Sequence, residues 1–138
     1  MATSAGARFE ALLSLMSRLR GEGGCPWDRE QTRASLKPYL VEEAYEVLQA
    51  IDEGDVDHLV EELGDLLFSV VNVARLSDID AEDCLRHAAD KFTRRFKEVE
   101  ADMRARGRTV SETSAEDLDR AWEAVKTRER DGATGTQP

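Results

Sequence analysis

Aromatic residues and proline are scarce in this chain: aromatics account for 6% of 138 residues, and proline occurs only three times. With 35% charged residues beside that scarcity, the composition is typical of amphipathic helices. No window approaches 18 uninterrupted apolar residues, so no membrane-spanning helix is expected. The N-terminus lacks an apolar signal core and a cleavage site, which predicts a cytoplasmic protein. Cysteine is nearly absent. Cys25 and Cys84 are too few and too far apart for a CxxC site or a disulfide framework, and they read as reduced, mainly structural thiols. Basic residues are outnumbered 19 to 29, leaving a formal charge of −10. That balance counts against nucleic-acid binding, which needs a basic face to displace counterions. A phosphate ligand on such a protein requires a mediating cation.

What the chain does have is helical periodicity. Phe9, Leu12, Leu13, Met16 and Leu19 form a first apolar stripe, ended by Gly21, Gly23 and Gly24. Cys25-Pro26-Trp27-Asp28 reads as a turn, with Asp28 as N-cap of a second helical region from about Arg29 to Glu53. Lys37-Pro38 predicts a break or kink inside it. Gly54 and Asp55 read as the C′ residue of that helix and the N-cap of the next. So short a link makes the two helices antiparallel neighbours. A fourth helix starts near Asp80, with a stripe from Leu85 through Ala88, Phe92, Phe96 and Val99 to Met103, and breaks at Gly107. Thr113 or Ser114 caps a short fifth helix bearing Leu118, Ala121, Trp122 and Val125. The expectation is an all-α helical bundle in one domain, 1–130, followed by a small, polar and disordered tail, 131–138.

An internal repeat carries the chemistry. Leu40-Val41-Glu42-Glu43 recurs as Leu59-Val60-Glu61-Glu62 at an offset of 19 residues, and an acid follows three places later in each copy, Glu46 and Asp65. At about 100° per residue, each ExxE or ExxD pair sets two carboxylates side by side along the edge of its helix's apolar stripe. Packed antiparallel, the stripes bring Glu43, Glu46, Glu62 and Asp65 together, where four like charges repel unless a cation sits among them. Acids on one helix are ordinarily a solvated face; two copies in register on consecutive helices point to a hard divalent cation, Mg²⁺ or Mn²⁺. A ferritin-like di-metal bundle would use Glu-x-x-His, but His58 and His87 fall outside both acidic pairs. That favours a Lewis acid acting on phosphate over a redox metal.

Gly24-Cys25-Pro26-Trp27-Asp28-Arg29-Glu30-Gln31-Thr32, followed by Glu42-Glu43-x-x-Glu46 and Glu62-x-x-Asp65, resembles the MazG nucleoside triphosphate pyrophosphohydrolases. They belong to an all-α superfamily that cleaves nucleoside triphosphates to monophosphate and pyrophosphate with Mg²⁺. The resemblance covers roughly Phe9 to Arg128. It implies that Glu43, Glu46, Glu62 and Asp65 are the metal ligands and catalytic acids, with Glu42 and Glu61 in support. Lys91-Phe92-Thr93-Arg94-Arg95-Phe96 resembles the family's KFxxRF stretch, in which Lys91 and Arg95 contact the triphosphate. Trp122-Glu123-Ala124-Val125-Lys126 resembles its C-terminal WExxK, in which Trp122 and Lys126 close the nucleotide pocket. On residues alone, Lys91 and Arg95 also fit a solvated face, and Trp122 also fits plain core. Pro26 and Trp27 read as anchors for their loop.

The resemblance further implies attack at the α-phosphorus, a role in nucleotide-pool housekeeping, and a homodimer or dimer of dimers. Two other readings stand beside it: a narrower dUTP or dCTP pyrophosphatase of the same superfamily, and a non-catalytic helical module that binds metal structurally. Nothing in the residues fixes the base, the sugar or the physiological nucleotide.

Overall fold

A computed structural model describes residues 4–134. Among the described residues there are six α-helices, one 3-10 turn and no strand: α1 (Ala5–Arg20), α2 (Pro26–Glu30), α3 (Arg33–Glu53), α4 (Val56–Leu76), α5 (Ala81–Ala105) and α6 (Ala115–Thr134). The all-α expectation holds. Contacts gather in two compact units, one ending at Asp83 and one beginning at Cys84, where the helix pattern alone suggests one.

In the first unit, α1 begins at Ser4, whose hydroxyl accepts from the Ala7 N–H, and gives way to the glycine turn. Gly24 belongs there because a Cβ at that position would run into the Leu19 and Arg18 carbonyl oxygens. The turn expected at Cys25-Pro26-Trp27-Asp28 is a short helix, with Pro26 in its first turn and Cys25, not Asp28, at its N-cap. Proline's fixed φ and missing N–H suit that position. Arg20 pins α2 to α1 by donating to the carbonyl oxygens of Asp28 and Gln31. Trp27 sets its ring edge-on to Tyr39, 5.8 Å between centroids.

The break predicted at Lys37-Pro38 lies earlier, at Gln31-Thr32. There a capping box operates: Thr32 Oγ1 accepts from the Ser35 N–H and Ser35 Oγ from the Thr32 N–H. Pro38 is accommodated inside α3, in its second turn. The carbonyl that loses its donor there is that of exposed Ala34, which water can satisfy.

α3 ends at Gly54 in the left-handed conformation (φ +70°), and Asp55 opens α4 by accepting from the N–H groups of Asp57 and His58. The antiparallel hairpin expected from that two-residue link is present, and α3 packs along α4. Leu36, Val47 and Ala50 are buried on α3, and Val71 on α4. Ile51 and Val70, by contrast, are exposed. They lie on a second apolar row with Val41, Leu48, Val60 and Leu67.

In the second unit, α5 and α6 run antiparallel around Val99, Met103, Ala121 and Val125, with Leu118, Trp122 and Val110 against them. Asp80 Oδ1 accepts from the N–H groups of Glu82 and Asp83 at the start of α5, and Ser114, not Thr113, accepts from the Asp117 N–H at the start of α6. α6 is not short: it runs through Asp131 to Thr134, where a disordered tail was expected. The rest of that expected tail, 135–138, lies outside the described residues.

Candidate metal centre

The buried and half-buried α3 residues Leu36, Leu40, Glu43, Val47 and Ala50 are alternately four and three apart. That is the seam of two packed helices, and Glu43 takes a place in it that an apolar residue would ordinarily fill. Its counterpart Glu62 is one of two polar residues buried among the described residues, only 9% exposed. Asp65, one turn further along α4, is exposed.

Carboxylate oxygens of Glu43, Glu62 and Asp65 all lie within 4.8 Å of one another. An octahedral Mg²⁺ with oxygens at about 2.1 Å holds its ligand oxygens about 3.0 Å apart at adjacent corners and about 4.2 Å apart at opposite ones. The three side chains therefore need only small rotations to share one hard cation, and oxygen is the donor such a cation takes. Without a cation the cluster is under electrostatic stress. Burial first, then the charges of Asp65, Glu46, Glu62 and Glu42, raise the Glu43 carboxyl above its ordinary value.

Glu46 stands beside this trio. It shares a hydrogen bond with Glu62, and burial followed by the charges of Glu62 and Glu42 raises its carboxyl as well. Glu42 and Glu61 are exposed.

His58 was set aside because it lies outside the acidic pairs, yet it joins the site. Its Nε2 is 3.0 Å from Glu62 Oε1, and its Nδ1 is 3.1 Å from Glu53 Oε2. The Glu53 contact, opposed by desolvation and aided by the Glu62 charge, raises the imidazole above its ordinary value. The sequence signal was the i,i+4 spacing of His58 and Glu62, which stacks them on one face of α4.

The remaining expected site residues belong to the second unit. Lys91 is exposed on α5. Arg95, one turn on, is half-buried and paired with Glu129 of α6. Lys126 is paired with Glu123 at 2.7 Å. Trp122 packs on the core of its unit and tilts against Phe92, 4.9 Å between centroids. These two rings and Phe96 help line a cleft of about 330 Å³. Trp122 is therefore both core and pocket wall.

Residues 31–100 match the profile of the MazG nucleotide pyrophosphohydrolase domain. The chain is 47% identical over 128 residues to a nucleoside triphosphate pyrophosphohydrolase of Escherichia coli K12, a match covering 89% of this chain and 46% of that protein. It is also 47% identical over 102 residues to the nucleoside triphosphate pyrophosphohydrolase/pyrophosphatase MazG of Thermotoga maritima, covering 71% of this chain and 40% of that one. The chain thus spans less than half the length of these curated relatives. Among solved structures, a MazG-related protein from Thermotoga maritima superposes with a TM-score of 0.64 at 25% identity, over 86% of this chain and 98% of that one.

Proposed function

This chain belongs to the MazG nucleotide pyrophosphohydrolase family, and from that premise we propose that it hydrolyses nucleoside triphosphates to monophosphate and pyrophosphate. The convergence of Glu43, Glu62 and Asp65 within 4.8 Å carries the proposal. Glu43, Glu62 and Asp65, with Glu46 beside them, hold Mg²⁺, for which Mn²⁺ substitutes. The bound cation supplies Lewis-acid polarisation and charge neutralisation at the substrate's phosphates. The side chains do the rest. The burial of Glu62 keeps its carboxylate from swinging into solvent, which preorganises the site. His58 braces Glu62 through its Nε2 contact. Glu42 and Glu61 add negative field from the exposed edge.

Lys91 and Arg95 contact the triphosphate, and Trp122 with Lys126 closes on the nucleotide. The resemblance to the family's KFxxRF and WExxK stretches supports these roles, and the relatives' names support a nucleoside triphosphate as the ligand. Residues 1–130 act as one functional domain, and its place is cytoplasmic nucleotide-pool housekeeping. The exposed apolar row on α3 and α4 supports a homodimer or dimer of dimers, since single exposed side chains are common but a row on both arms of a hairpin is not.

The test is a panel of nucleoside and deoxynucleoside triphosphates, dUTP and dCTP among them, with Mg²⁺ and with the metal chelated. Monophosphate plus pyrophosphate, lost on chelation, is expected. Diphosphate plus phosphate would sink the reaction, and metal binding without any turnover would leave a structural metal module. Activity on one deoxynucleotide alone would narrow the enzyme to that substrate.

A further inference from the structure

On α5, Arg95 meets α6 through a single carboxylate. Its Nε donates to Glu129 Oε2 at 2.8 Å, and its Nη2 lies 2.7 Å from the same oxygen. Arg94 takes the other oxygen, with Nε at 3.3 Å and Nη2 at 2.9 Å from Oε1. Both Glu129 oxygens are thus held from two sides, and the carboxylate cannot swing without breaking both clamps. Side-chain exposure is 21% for Arg95 and 24% for Glu129, against 62% for Arg94. Arg95 is thus the more buried of the two arginines. Hydrogen bonds from Arg95, then Arg94, hold the Glu129 carboxyl at about 2, so it is charged throughout any working range.

A guanidinium has two edges that can each meet an oxyanion, and it samples many rotamers when nothing holds it. Both contacts of Arg95 with Glu129 fall on its Nε–Nη2 edge. Its Nη1 has no partner among the described residues, and the second hydrogen of Nη2 points along the same edge, so the Nη1–Nη2 fork can still match the oxygens of a phosphate bidentately. We propose that Glu129 is a positioning residue: it grips one edge of Arg95 so that the other is presented, already ordered, to a phosphate of the triphosphate. The proposal rests on the reading that Arg95 contacts the triphosphate, and it adds a residue that neither the sequence motifs nor the ExxE and ExxD acids include.

The experiment compares Glu129→Gln, Glu129→Asp, Arg95→Ala and the double variant Arg95→Ala/Glu129→Gln. Two readouts serve: steady-state kinetics on a nucleoside triphosphate with Mg²⁺, and affinity for its non-hydrolysable α,β-methylene analogue by calorimetry. Glu129→Gln should raise KM and the analogue's Kd about tenfold, with kcat changed much less and the melting temperature held. Glu129→Asp, which keeps the charge, should recover part of the loss. The double variant should be no worse than Arg95→Ala alone, because with the guanidinium gone there is nothing left to position. Wild-type or tighter binding in Glu129→Gln, with Arg95→Ala impaired, would overturn this inference alone; tighter binding would make Glu129 a competitor for the anion seat. Additive losses in the double variant overturn it too. Wild-type behaviour in Arg95→Ala would remove the reading of Arg95 and this inference together.

Discussion

Glu43 is a carboxylate in the place of a seam hydrophobe, and its energetics follow from that. Burial and neighbouring acids raise its carboxyl, and Glu46 shifts the same way. The folded chain then holds more protons than the unfolded one above about pH 4.5, so these groups destabilise it as pH rises through the ordinary carboxylate range into the raised one. Glu129 runs oppositely: held at about 2, it stabilises fully above the ordinary value of 4.5 and loses that contribution as pH falls toward 2. Glu43→Gln should therefore raise the metal-free melting temperature at pH 7 by roughly 2–4 °C. By pH 4 the gain should have vanished. Calorimetry across that range checks it, and a shift that persists at pH 4 would mean the gain was packing. Saturating Mg²⁺ should reverse the order, since only the wild type gains full linkage stabilisation from the cation. Glu62→Gln keeps size and helix propensity while removing a buried ligand charge. Turnover should fall by orders of magnitude with helical circular dichroism unchanged; near-normal activity would disprove the carboxylate site.

At the scale of elements, the caps were legible because their chemistry is local. Gly54, Asp55 and Ser114 do what their residue types do at helix ends, and the structure has them doing it. Pro38 misled for the complementary reason: a proline is a probable boundary, but the Thr32–Ser35 capping box offers a stronger start six residues upstream. The glycines separate cleanly by cause. Gly54→Ala meets nothing within 4 Å and should cost only the left-handed backbone strain, about 1–2 kcal/mol. Gly24→Ala collides with carbonyls of α1, so the turn itself must move, and the loss should exceed that of Gly54→Ala. Urea melts of the two variants rank them, and equal midpoints would mean that the collision relaxes freely. The acidic site was half legible in the same terms. Spacing and repeat singled out Glu43, Glu62 and Asp65, which the structure brings together, with Glu46 beside them, whereas the heptad seam through Glu43 and the i,i+4 stack of His58 on Glu62 were present in the sequence but went unread.

For the whole molecule, the residues that sequence could not assign are those whose partners lie far along the chain. Glu129 meets Arg95 across 34 positions, and no local pattern encodes such a pair. The outward row on the hairpin was equally hidden, because hydrophobicity marks a side chain for burial without saying against what. Paired Leu48→Glu and Leu67→Glu substitutions should leave the fold intact and shift sedimentation to the monomer; an unchanged mass would put the interface elsewhere. The brevity of the Gly54-Asp55 link reaches further, into how the chain acquires its shape. Glu43 and Glu62 stand 19 positions apart and are brought together by the zipping of one hairpin, among the cheapest long contacts to close. If the cluster is already drawn together at the folding barrier, a cation that binds it lowers that barrier instead of only deepening the native well. Mg²⁺ should then speed refolding in stopped-flow experiments as well as slow unfolding, with Glu62→Gln abolishing the acceleration.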